Sequence, residues 1–228
     1  MRKLLLIPLF VLAFFVTNKV AFAAIITVNT DQDISLMNAV GDGLCSIREA
    51  IANVNATGDT SGGDCVSATG NDTIVFSEPM TIHLTSQLSN DMYALQITAP
   101  VHIDGTANGN GDCIAKNLGV ELDGNDAMND IIRLFEGSDG STIHGLVLNH
   151  FTNAAIDISE SSNQTITCNF VGTNKTGDQN AVTPQQNGGP LGSIQIQTGA
   201  DHIRPQNIVI GGTNAGDGNV IVSAAPSD

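Results

Sequence analysis

Short β-type runs recur along this chain at spacings near twenty residues, and that recurrence leaves few folds open. Asp72–Phe76, Val101–Asp104, Met80-Thr81-Ile82-His83-Leu84 and Val120-Glu121-Leu122-Asp123 are short, often alternating runs bounded by Gly, Asn or Asp. Two of them end alike: Ile103-Asp104-Gly105 and Leu122-Asp123-Gly124 lie 19 residues apart. Thr142-Ile143-His144-Gly145 aligns with Thr165-Ile166-Thr167-Cys168 at 23 residues, and Ile131-Ile132-Arg133-Leu134 with Ala155-Ile156-Asp157-Ile158 at 24. Ser193-Ile194-Gln195-Ile196 and Asn207-Ile208-Val209-Ile210 continue the series. No second helical pattern separates the runs, so βαβ crossovers have nothing to build them. An all-β parallel β-helix is the economical solution, each coil ~4.8 Å above the last. Inward Ile, Val and Leu would stack into ladders, a narrow core that suits an aromatic content of 4% and the absence of Trp. Residues 71–228 are assigned to these coils. Residues 175–192, rich in Pro, Gly, Asn and Gln, read as a loop protruding from one of them.

A solenoid has open ends, and an open end presents unpaired strand groups. Ser46 and Glu49 have the spacing of a capping box, in which the hydroxyl and the carboxylate satisfy free N–H groups at a helix start. Ile47, Ala50, Ile51 and Val54 then fall on one helical face. This short helix is expected to cover the first coil, making residues 24–70 an N-terminal cap. No such pattern follows Asn219-Val220-Ile221-Val222, so either a partner covers that end or the chain is the front of a longer solenoid, the second being the favoured reading.

Residues 1–23 have the form of an export signal: Arg2 and Lys3, an apolar run over 4–16, and Ala21-Phe22-Ala23 as the cleavage motif. The run is shorter than the ~20 residues a spanning helix needs. Removing the signal takes three of the eight basic residues and none of the 23 acidic ones, leaving a formal charge of −18. Such a surface repels phosphate backbones and excludes nucleic-acid binding. Cys45, Cys65, Cys113 and Cys168 remain, an even count that favours disulfides outside the cytoplasm. Of the three possible pairings, Cys45 with Cys65 is the local one. No C-x-x-C or C-x-x-H spacing favours a cysteine metal site.

The chain resembles the secreted bacterial proteins named for a Cys-Ser-Leu-Arg-Glu-Ala segment. Here the segment is Cys45-Ser46-Ile47-Arg48-Glu49-Ala50, followed by Gly62-Gly63-Asp64-Cys65 and Asn71-Asp72-Thr73-Ile74. Later phrases are similar too: Ile103-Asp104-Gly105-Thr106, Ile143-His144-Gly145-Leu146, Asn169-Phe170-Val171-Gly172-Thr173-Asn174 and Ile210-Gly211-Gly212-Thr213. The resemblance implies a right-handed, pectin-lyase-like β-helix on a secreted or cell-surface, adhesin-like protein. It implies no reaction.

Two functions from different classes follow. One is a non-catalytic surface module or scaffold whose polar outer face and 175–192 loop meet a glycan or a protein. The other is a polysaccharide lyase or glycosidase. A lyase would use clustered carboxylates to hold Ca²⁺ and a nearby Arg as base. Asp123, Asp126 and Asp130, with Arg133 close by, are the candidates for that metal site, although their Asn and Gly neighbours also suit turns. A glycosidase would need two carboxylates ~5–10 Å apart, for which Asp104, Asp157 and Glu160 are available. His83, His102, His144, His150 and His202 are expected to be solvated surface residues.

Overall fold

The computed structural model describes residues 22–34, 40–85, 93–177, 193–200 and 203–222. Among them the chain is mostly β, with a single α-helix, α1 (Ile47–Ala56). The first strands are β1 (Ile25–Val28), β2 (Asp72–Phe76), β3 (Met80–His83), β4 (Tyr93–Ile97) and β5 (Val101–Asp104). Next come β6 (Gly111–Asp112), β7 (Asn117–Leu118), β8 (Val120–Leu134), β9 (Thr142–His144) and β10 (Val147–Ser159). The last are β11 (Thr165–Thr167), β12 (Phe170–Val171), β13 (Ile194–Gln197), β14 (Val209–Ile210) and β15 (Val220–Ile221).

Two sheets, both parallel throughout, hold all of these strands except β6 and β7. One has the order β1-β2-β5-β9-β11-β14; the other is β15-β12-β10-β8-β3, with β4 also beside β8 and β13 beside β10. Among the described residues only the β6–β7 hairpin is antiparallel. The register stacks like on like. Ile26, Ile74, Ile103, Ile143, Ile166 and Ile210 form one row across the first sheet. Leu95, Ile132, Ile156 and Ile194 form another across the second. Nearly all enter one core, where burying such a side chain contributes roughly 1.5–3 kcal/mol. The last rungs are open: Ile210 is 45% exposed and Ile221 46%.

Two of the sequence echoes coincide with register, Thr142 with Thr165 and Ile132 with Ile156. The 19-residue echo does not. β5 pairs with β2 and β9, whereas the start of β8 pairs with β3 and β10 in the other sheet. The two Asp-Gly endings look alike because both glycines pass close to backbone. A Cβ on Gly105 would lie 2.3 Å from the Gly145 carbonyl oxygen, and one on Gly124 2.4 Å from that of His150.

Helix α1 starts at Ser46. The hydroxyl accepts from the Glu49 N–H, the Glu49 carboxylate accepts from the Ser46 N–H at 3.0 Å, and Thr57 closes the helix in a left-handed conformation. Ile47, Ala50, Ile51 and Val54 are buried in the common core, against β1 and β4. Asn55 fixes the helix to the sheet, donating to Gln96 O and accepting from Thr98 N. The cap region also supplies β1, which pairs with β2. Disulfides join Cys45 to Cys65 and Cys113 to Cys168. Among the described residues no helix is long and apolar enough to cross a membrane. Residues 1–21, His202 and the loop beyond 177 lie outside the described residues.

Candidate functional site

The outer face of the second sheet carries a row of side chains set by register. Gln96 on β4, Arg133 on β8, Asp157 on β10 and Gln195 on β13 stand side by side. Because strand residues alternate faces, burying Ile132 and Leu134 turns Arg133 outward, and burying Ile156 and Ile158 does the same for Asp157.

Arg133 is the centre of this row. Its guanidinium carbon lies 4.3 Å from the ring centroids of both Tyr93 and Phe135. Such stacking suits a planar, delocalised cation. Its Nε faces Asp157 Oδ2 at 3.5 Å, and both atoms are buried without a hydrogen bond. Among the described residues the other guanidinium nitrogens make none either. The chain spends its aromatic rings sparingly: Phe76, Phe151 and Phe170 are core, while Tyr93, its one tyrosine, and Phe135 both flank Arg133.

The carboxylates beside Arg133 are locked by amides. Asp157 accepts from Gln197 Nε2 at 2.7 Å. Asp130 accepts from Asn153 Nδ2 and from the Ala154 N–H, both at 2.8 Å, and Gln195 donates to Asn153 Oδ1. Burial raises the pKa of Asp157 to about 6, the Gln197 bond opposing it and the Asp130 charge adding to it. Burial also raises Asp130, against its bonds from Asn153 and Ala154.

The three aspartates singled out for calcium go to different places. Asp130 belongs to the row just described. Asp123 is clasped by two imidazoles, His83 Nδ1 and His150 Nδ1, each at 2.9 Å. Asp126 is exposed, at a left-handed backbone position within β8. Among the described residues their carboxylates do not converge on one point. Of the glycosidase candidates, Asp104 Oδ1 accepts from Thr106 and Ala107 in a turn, whereas Glu160 is buried. Asp157 is coupled electrostatically to Asp130.

Not all the histidines are solvated. His102 and His144 are half-buried with ring centroids 6.4 Å apart, and burial lowers the pKa of His102. His144 Nε2 lies 3.7 Å from Cys113 Sγ and Nδ1 lies 2.9 Å from Thr167 Oγ1. The Cys113, His144 and Cys168 ligand atoms are mutually within 4.8 Å, but both sulfurs are committed to a disulfide. Sequence spacing carries no signal of this approach. At the loop's first residue, Lys175 donates to Thr81 Oγ1 at 2.7 Å and lies 3.6 Å from Glu121 Oε2. No protein-family model, no curated protein and no solved structure matches the chain.

Proposed function

We propose that the chain is an exported, non-catalytic binding module: a right-handed parallel β-helix of the kind in the proteins it resembles, placed at the cell surface or secreted. It is adhesin-like, and its partner is a glycan. The observation that carries this is the Tyr93–Arg133–Phe135 stack on an outer face otherwise made of amides and carboxylates. Sugars offer apolar C–H faces and rings of hydroxyls. Rings accept the first; the partly exposed Arg133 guanidinium and the amides of Gln96 and Gln197 meet the second. The two disulfides and the acidic, nucleic-acid-repelling surface fit an extracellular setting. A cell-surface protein is the other partner this face would suit.

The test is binding of the mature chain to an array of plant and bacterial polysaccharides, with and without Ca²⁺. R133A and Y93A should each lose at least tenfold in affinity while remaining folded, as judged by circular dichroism at the assay temperature. Equal binding by both variants would remove this face from the function.

One observation favours a glycosidase as second reading: Asp157, with its pKa near 6, beside Asp130 is a pair of carboxyl groups pushed upward by burial. Release of reducing sugar by the wild type, abolished in D157N, would establish it in place of a binding module.

A further inference from the structure

Asp72, the first residue of β2, is wholly buried, and its carboxylate is enclosed by donors. Oδ1 accepts from the Ala24 N–H at 2.7 Å and from Thr69 Oγ1 at 3.0 Å. Oδ2 accepts from the Thr69 and Gly70 N–H groups at 3.0 and 2.9 Å. Burial pushes its pKa up, but the bonds from Ala24, Gly70 and Thr69 outweigh that and hold it below the ordinary value. This buried carboxylate is kept charged by neutral donors, and among the described residues no lysine or arginine forms an ion pair with it.

The nitrogen facing it is the one that follows the Ala21-Phe22-Ala23 motif. Phe22 is 83% exposed and Ala23 is exposed, so the bond between Ala23 and Ala24 lies at the surface while the Ala24 nitrogen is already seated on Asp72. The Phe22 carbonyl oxygen, on the far side of that bond, competes with Asp72 Oδ1 for the single hydrogen of Thr69 Oγ1. The Ala24 carbonyl accepts from the Thr73 N–H at 2.8 Å, tying the same residue to β2.

We propose that Asp72 is the binding site for the chain's own processed amino terminus. Hydrolysis of the Ala23–Ala24 bond by a signal peptidase adds water: the leaving segment ends in the Ala23 carboxylate, and the Ala24 nitrogen takes up protons to become an α-ammonium. That ammonium docks on the buried Asp72 carboxylate and fastens β1 to β2. It brings a full charge and three N–H donors where the peptide brought one. Departure of Phe22 leaves Thr69 Oγ1 able to accept one of them. Charge-assisted bonds of this kind are roughly twice as strong as neutral ones. If Asp72 served only to cap the turn at residues 69–72, Thr69 and Gly70 would suffice, and the charge at Ala24 would be immaterial.

The inference rests on reading residues 1–23 as an export signal, and the experiment separates the two. The full chain is secreted from a bacterial host and its amino terminus sequenced. Separately, chains beginning at Ala24 and at Phe22 are melted, each as wild type and as D72N. A secreted terminus at Ala24 is expected, with the Ala24 chain melting about 2–6 °C above the Phe22 chain in the wild type. That difference should vanish in D72N. Should D72N fail to fold, α-amino acetylation of the Ala24 chain must reproduce the loss. Secretion with another terminus would overturn the export boundary and the site with it. A terminus at Ala24 with equal melting temperatures, or with no effect of acetylation, would overturn the site and leave export intact.

Discussion

Asp157 illustrates how a single position can follow local rules yet acquire its chemistry from strands far away in sequence. Its place between Ile156 and Ile158 makes it an outward strand residue, but its pKa near 6 comes from burial among β8, β10 and β13. A carboxyl whose folded pKa lies above the unfolded value near 3.9 holds its proton more tightly when folded. It adds stability that is fully present below about pH 4 and lost as pH rises through about 6. Wild type should therefore lose up to about 3 kcal/mol relative to D157N between pH 4 and pH 7. Urea unfolding of both proteins across that range measures it; parallel curves would refute the shift. Arg133 calls for a similar distinction. R133K keeps the charge but loses the planar group between Tyr93 and Phe135, so it should resemble R133A in glycan binding rather than wild type.

Helix α1 and the isoleucine row make different demands. Ser46 and Glu49 serve one another, and S46A should cost about 1 kcal/mol, or roughly 2–4 °C in melting temperature. The row across the first sheet depends on burial at each rung. I143A, at a site with no exposure, should cost about 2–5 kcal/mol. I210A, at 45% exposure, should cost less than half as much, because much of that side chain is already in water. Equal losses would mean that the open rung is covered in solution. The helix and its cap could be read from the chain because every contributing residue lies within a few positions of the next. The correspondence of β9 with β11 could be read for a similar reason, since the Thr-Ile pattern of one strand recurs in the strand paired beside it. The pairing of β5 with β9 was not legible, because the β6–β7 hairpin and all of β8 intervene.

The disulfides act across longer stretches. Cys45–Cys65 closes 20 residues and Cys113–Cys168 closes 55. On the chain-entropy model these are worth about 3 and about 4 kcal/mol. The double variant C113S/C168S should thus melt below C45S/C65S, and thermal scans of the two under one buffer decide it. Taken together, the chain's local chemistry settled its β character, its one capped helix, the inward Ile and Val positions and the acidic surface. Each of these depends on side-chain alternation, capping distance or net charge, all of which act over a few residues or need no geometry. Which strands become neighbours was settled only by folding, and with it everything that depends on neighbours. Cys113 meeting both Cys168 and His144, Arg133 reaching the ring of Tyr93, and Asp72 receiving the Ala24 nitrogen each join residues 30 or more positions apart. Loops and hairpins of unequal length separate those residues, so no fixed period in the sequence could place them together.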